Sequence, residues 1–596
     1  MRVAGSAVSE TALPGCRSQE TSAHHESGRV PEGRALIDDG EAACPFQEEC
    51  EVKLRVITTL VVLSLASALL ADDGARYLII TADQFEASIR PLAEWKHASG
   101  LQCKVVRISE IGTDTAAIHD YIESAYNTWP VRPEFVLLVG HPSAIRAGQY
   151  GERMWRFYSD TYYGDVTGDY RAEIKVGRFP ARSVAQCDVM VEKTLAYERN
   201  PGLADSLWMR RLTTVVREDY DADDSTYWNN VRNAAGLAGA AGFVSCDSLS
   251  LARGHSATHV VSSVNRGTGL VLYRGTAGGN WREPFNVEPD MTANGDKLPV
   301  VLSITCETMA LDPYDSMVGS GWALAGWNGT MHGAVAFFGN THSASNVARE
   351  RGAICRGFFT GLFTENRYVL GDALLRAKQQ LYTEFPSDDE DYRGFCLFGD
   401  PALRLWTETP QPLAVGHARE ILPGPQQVGV EVTRAGLPLA GALVCASMDT
   451  TIYAFDSTDA AGTVLLDVSP ADTGQLRLVV TARDCIPYDA LVHVVTQVGL
   501  VEERPVPAAR PVVACPSTFT GHTVLTLAGP APSGARVEVR DAAGRAVRSI
   551  AAAGCTNVEW DGRAGDGSAC RPGVYFCDIR DARDIRLGAV KVTRVE

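Results

Sequence analysis

The 596-residue chain has 15 cysteines but no CxxC pair and no regular cysteine spacing. That scatter argues against a structural zinc site and against a dense disulfide framework. Most of the thiols are expected to be small buried apolar groups, with one bridge open to Cys555, Cys570 and Cys577, which are close in sequence. Basic charge is in deficit too: 55 Lys and Arg face 72 Asp and Glu, giving a formal net charge of −17. A nucleic-acid partner is set aside, because phosphate binding needs a basic face. Apolar residues at 45% and charged residues at 21% are ordinary for globular domains, and exclude a largely disordered or multi-span membrane chain. The length exceeds what one hydrophobic core supports, so several domains are expected.

Long apolar runs are scarce as well, apart from Val56–Leu70, which follows Lys53 and Arg55 and leads into Ala66-Ser67-Ala68 and an acidic pair. The run falls short of the ~20 residues a comfortable membrane span needs, and with its basic flank and A-x-A site it has the layout of a signal peptide. Residues 52–71 are therefore read as an export signal, with a secreted or cell-surface destination. Residues 1–51 show no apolar periodicity and precede it. They are expected to be a gene-model leader or disordered, the true start being Val52.

Beyond the signal, apolar strand-like runs (YLIITA at Tyr77, CKVVRI at Cys103, FVLLVG at Phe135) alternate with amphipathic segments. Ile118, Tyr121, Ile122 and Ala125 fall on one helical face, as do Val184, Cys187, Val191 and Leu195. The rhythm resumes with LTTVV at Leu212, GLVLYRG at Gly269, PVVLSITC at Pro299 and GAVAFFGNTH at Gly333. Continuous apolar strands of this kind are buried on both faces, which predicts a mainly parallel sheet covered by helices, or two adjoining sheets. At Thr407 the text turns Pro-rich and the helical period ends. Alternating patterns then predict a small β-sandwich over 411–498 and, after a second Pro-rich join, another β domain over 510–596.

Ligands of open parallel sheets sit beyond the carboxyl ends of the strands, and Cys306 follows the apolar strand of PVVLSITC. Around it stand SDTYYGDVTGDYRAEIKVGRFPAR at Ser159, KTLAYE at Lys193, GAVAFFGNT at Gly333 and FGDPALRL at Phe398. In this order and at these separations the segments resemble the gingipain-like cysteine peptidases, over about Tyr77 to Leu405. The resemblance implies a caspase-like α/β fold for residues 72–406, with Cys306 matching the nucleophile. It also implies a histidine at the end of the preceding strand, where this chain reads Tyr273-Arg274-Gly275-Thr276-Ala277. Thr276 stands in its place and cannot act as a base. A free thiol, with a reference pKa of about 8.5, needs an adjacent base or positive charge to supply thiolate at neutral pH.

Three residues are candidates to compensate. His342 comes first, because it ends the strand after that of Cys306 and so reaches the same sheet edge. His141 ends the Phe135 strand, which leaves open whether it belongs to the neighbouring half of the domain, and Arg274 offers charge but no proton. Glu173 matches an acidic residue that the family places near its histidine as an orienter. The backbone N–H of Cys306, with those near Gly275 and Thr276, is a candidate oxyanion hole. Asp160, Asp165 and Asp169 read first as a solvated acidic turn, with calcium the ion such oxygens would hold in a structural role, while no cofactor is required for the chemistry. The last segment, with VEWDGRAGDGSACRPGVYF, resembles Ig-like modules of secreted and cell-surface bacterial proteins, which implies a role in secretion or in attachment at the cell surface. The expected function is a secreted cysteine endopeptidase acting on protein or peptide substrates. The alternative is a catalytically inactive relative serving as a surface binding or adhesion module.

Overall fold

A computed structural model of the chain describes residues 74–595, apart from 153–155, 200, 202, 315–316, 450, 498–512, 515–517, 528–529, 543, 583 and 585. The leader and the signal-like segment lie outside the described residues. Among the described residues no helix is long and apolar enough to cross a membrane.

The seven apolar runs join three further strands in one ten-stranded sheet. Its strands are β1 (Tyr77–Thr81), β2 (Cys103–Arg107), β3 (Phe135–Val139), β4 (Lys175–Phe179), β5 (Arg211–Val216), β6 (Ser245–Ser250), β7 (Leu270–Arg274), β8 (Val300–Ser303), β9 (Ala336–Asn340) and β10 (Phe395–Phe398). They lie in the order β2-β1-β3-β4-β10-β9-β8-β7-β5-β6. Every neighbouring pair is parallel except β9 with β10. Of the two sequence readings, one sheet or two, the structure takes one, built from two parallel halves. β10 joins them, running with β4 and against β9, so the halves run in opposite directions. The carboxyl ends of β7, β8 and β9 therefore share an edge with the amino ends of β4 and β10, while β3 ends at the opposite edge.

Both faces of the inner strands are buried, as their apolar runs demand, while the edge strands β2 and β6 are partly exposed. Val271, Tyr273 and Val301 enter one core, whereas Leu270, Leu272, Val300 and Leu302 enter the other, the alternation a pleated strand imposes. Helix α1 (Glu86–Ala98) and α2 (Thr115–Thr128) cover the first half. α3 (Val184–Arg199) follows β4, but Val184 is exposed rather than buried, the inward face starting one turn later at Cys187. On the second half, α4 (Asp223–Ala240), α6 (Ala348–Phe363) and α7 (Leu370–Glu384) contribute to one core and α5 (Ala257–Arg266) to the other. The six-residue helix α8 (Asp389–Gly394) leads directly into β10.

Two β-sandwiches follow, each with its own core, one gathered around Val432, Val444 and Leu478 and the other around Val537, Trp560 and Ile579. The first docks on the α/β domain, where Trp95 and Ala98 pack against Val479. Asp484 accepts from the backbone N–H of Thr407 and Glu408, at 2.7 and 2.9 Å. In the second, Cys555, Cys570 and Cys577 form no disulfide with one another, so the bridge considered from sequence does not form.

Candidate functional site

Because β7, β8 and β9 are adjacent and parallel, the residues just after them form one cluster: Gly275 and Thr276, Cys306, and His342. The turn carrying Cys306 is tied down from several sides. Thr308 and Met309 donate their backbone N–H groups to the Asn340 carbonyl. Ser303 Oγ sits between Thr308 Oγ1 and the indole N–H of Trp281. Gly275 has φ +152, and a Cβ there would lie 2.8 Å from the Arg217 carbonyl oxygen, so glycine is required where β7 ends. The Cys306 side chain remains partly open to solvent. Its backbone N–H has no acceptor among the described residues, which leaves a donor free beside the thiol.

The thiol has two partners. Arg351, in the first turns of α6, donates Nη1–H to Cys306 Sγ at 2.8 Å, and the Ala344 carbonyl lies 3.5 Å from the sulfur. Arg351 is buried, and Asp391 of α8 holds it through two bonds, Nε to Oδ2 at 2.9 Å and Nη2 to Oδ1 at 3.0 Å. Asn340, the last residue of β9, donates Nδ2–H to the same Asp391 Oδ1 at 2.7 Å. A Cβ on Gly394 would come within 2.3 Å of the Asn340 side-chain oxygen, so glycine at the end of α8 permits this approach. Burial alone lowers the affinity of Arg351 for its proton, but the Asp391 carboxylate and the Cys306 sulfur outweigh it and push the guanidinium above its ordinary value.

His342 reaches the expected edge but is not a hydrogen-bond partner of the thiol. Its ring packs on Phe157 with centroids 4.8 Å apart, and Nε2 lies 3.6 Å from a Glu390 carboxylate oxygen. Nδ1 is buried without a hydrogen-bond partner among the described residues, and burial lowers the ring's pKa. His141 sits at the opposite sheet edge. It contacts Arg182 through Nε2 at 2.7 Å and accepts the Ser143 N–H at Nδ1, and burial followed by the Arg182 and Arg178 charges brings it down to about 4. Its place beyond β3 rules it out as a partner of Cys306.

Arg274 corrects a second expectation. Its side chain turns into the core, where Nε donates to Asn230 Oδ1 at 3.0 Å and the two Nη groups donate to the carbonyls of Ile304 and Ala348. It braces the cysteine turn from behind and does not face the sulfur. Thr276 donates Oγ1–H to Asp219 Oδ1 at 3.0 Å. Glu173 accepts from the Val166 N–H and Thr167 Oγ1 of its own loop, so it orients that loop and no imidazole. Of the acidic trio considered for calcium, Asp160 is buried in a two-bond pair with Arg178, and Asp165 accepts two backbone N–H groups. Asp169 caps the Arg171 N–H. Among the described residues, the group of ligating side chains close enough to share an ion is instead His119, Asp120 and Glu123 on α2.

Sequence reading passed over Arg351, Asp391 and Asp219. A signal for the first was present: Arg351 interrupts the apolar stripe of Ala348, Cys355 and Phe358, a position where an unpaired charge is costly.

Residues 70–406 match peptidase family C25, and residues 516–582 match the FlgD Ig-like domain. Gingipain R2 of Porphyromonas gingivalis is 24% identical over 368 residues, covering 58% of this chain and 47% of that protein. Lys-gingipain W83 of the same species is 27% identical over 166 residues, which cover 27% of this chain and 9% of its length. The chain thus spans less than half the length of these curated relatives. The solved Arg-specific cysteine proteinase gingipain R superposes with a TM-score of 0.64 at 20% identity, over 71% of this chain and 99% of that one.

Proposed function

Because the chain belongs to peptidase family C25, we propose that it is a secreted cysteine endopeptidase in which Cys306 attacks the carbonyl carbon of a peptide bond. The observation that carries this reading is the position of Cys306: beyond the carboxyl end of β8, partly open, with a cation on its sulfur and a free backbone N–H beside it. Attack by the thiolate gives a thioester acyl-enzyme, and the Cys306 N–H faces the oxygen that gains charge. Residues 52–71 supply the export signal, and the C-terminal sandwich supplies attachment at the cell surface. Protein substrates follow from the family, whereas the side chain preferred at the cleaved bond does not.

Thr276 favours a second reading, an inactive relative kept as a binding module, since a hydroxyl committed to Asp219 occupies the position where the family pattern has histidine. Digestion of an unfolded protein by wild-type chain and by Cys306→Ala, with the fragments sequenced, separates the two. Fragments that vanish in Cys306→Ala support the peptidase. Equal cleavage by both proteins, or none by either, rejects it.

A further inference from the structure

Resting on the reading of Cys306 as a nucleophile, we propose that Arg351 is its catalytic partner: the guanidinium, aimed by Asp391, holds the sulfur as a thiolate where the family pattern uses an imidazole. The geometry is specific. Asp391 takes Nε and Nη2 of Arg351 in a two-pronged grip, which fixes the guanidinium plane and leaves Nη1 one direction, toward Sγ at 2.8 Å. Arginine suits this because its fork is rigid and permanently charged. Asn340 fixes Asp391 in turn, so a chain of contacts runs from the end of β9 through Asp391 and Arg351 to the turn after β8. Asp391 and Asn340 are positioning residues, and Arg351 touches the reacting atom.

The Arg351 contact favours charge on sulfur. A neutral thiol can donate to the Ala344 carbonyl, 3.5 Å away, but it is a weak acceptor for the guanidinium N–H at 2.8 Å. A guanidinium bond to a thiolate is charge-assisted, and it places three charges where the buried Arg351–Asp391 pair alone would place two. The other ionisable groups around this pair are Asp388, Glu350 and Glu390, the His342 ring, and Arg274 from β7. None of them bonds to the sulfur among the described residues.

Arg351 neither takes nor gives a proton at neutral pH. In the acylation step the sulfur–carbon bond forms, the carbonyl electron pair moves to oxygen, and the tetrahedral adduct collapses with loss of the amine, which takes its proton from solvent water and leaves hydroxide. The thioester is then hydrolysed by a second water.

The test is the alkylation rate of Cys306 by iodoacetamide in the full chain between pH 5.5 and 9. It is read by mass spectrometry on the peptide containing Cys306, because Cys246 and Cys555 are also exposed. Wild type should keep most of its rate at pH 6, while Arg351→Gln should lose about tenfold or more there and little at pH 9, since an adjacent cation favours the charged form of a thiol. Arg351→Lys should recover part of the loss, and Asp391→Asn should fall between the two. If Arg351→Gln does not fold, the Lys and Asn variants carry the comparison. Unchanged profiles in the variants overturn the proposal. A peptidase failure is distinguishable: the alkylation pattern with no peptide cleavage removes the peptidase and leaves the Arg351 thiolate, whereas Cys306-dependent cleavage with unchanged alkylation removes Arg351 alone.

Discussion

Arg351 Nη1 lies 2.8 Å from Cys306 Sγ, and the same guanidinium is bound on its far side by Asp391. On the proposed reading of Cys306 as nucleophile, a thiol paired with arginine in place of histidine has charge but no proton donor of its own, and the consequences reach both chemistry and stability.

The chemical consequence concerns the leaving group. A thiolate leaves a tetrahedral adduct without help, whereas an amine needs a proton, and a positioned acid is typically worth ~10²–10⁴-fold. Matched peptide thioesters and amides should therefore differ more sharply here than in an enzyme with an imidazole at the thiol. Thr276→His, at the end of β7, should raise kcat/KM for the amide by about 10²-fold and leave the thioester nearly unchanged. Steady-state assays on the two substrates check this, and equal gains on both would contradict it.

The stability consequence concerns the buried pair. Arg351 and Asp391 are 4% and 1% exposed, and removing one member of such a pair costs about 3–5 kcal/mol because the other charge is left buried alone. Arg351→Met and Asp391→Leu should each lower the urea midpoint strongly. The double variant should lose clearly less than the sum of the two, the sign of direct coupling. Additive losses would mean the two side chains are stabilised separately.

Acid should weaken the opposite edge of the sheet. His141 titrates at about 4 in the folded chain, through burial and then the Arg182 and Arg178 charges, against an ordinary 6.5. The unfolded chain binds this proton first, so the contribution is complete above pH ~6.5 and is lost as pH falls toward 4, by on the order of 1–2 kcal/mol after screening by solvent. Urea unfolding at pH 7 and pH 5 should show a drop that His141→Gln reduces. An identical drop in the variant would rule out His141 as its source.

Between the α/β domain and the first sandwich, Asp484 is buried and accepts from Thr407 N, Thr407 Oγ1 and Glu408 N. Asp484→Ala leaves these donors unpaired, at a cost of about 1–3 kcal/mol per buried group. Limited proteolysis should then cut near residue 407 faster than in wild type. An unchanged cutting rate would show that the packing of Trp95 and Ala98 on Val479 holds the join without it.

Most of the sheet was legible because strands buried on both faces write unbroken apolar runs, whereas β6 (SCDSLS), a half-exposed edge strand, writes none. The sequence could not reveal the reversal at β10, because FCLF reads alike in either direction, and direction is settled by which neighbour it pairs with. That reversal is why His141 and Cys306, both at strand ends, lie at opposite edges. The strand-end argument put Cys306 and His342 at one edge and the family resemblance put Gly275 and Thr276 there, and all four follow adjacent parallel strands. The direction of a side chain is a different matter. Arg274 faces the core and Arg351 faces the thiol, because Arg274 ends β7 on a side where it meets backbone carbonyls, while the packing of α6 on the sheet brings Arg351 to the sulfur.

The most direct measurement is the site of covalent capture by a peptidyl electrophile that alkylates cysteine-peptidase nucleophiles, followed by intact-mass and fragment analysis of the full chain at pH 6 to 7. The account predicts a single adduct on Cys306, abolished in Cys306→Ala and strongly slowed in Arg351→Gln. An adduct confined to other cysteines, or none on a folded protein, would contradict it.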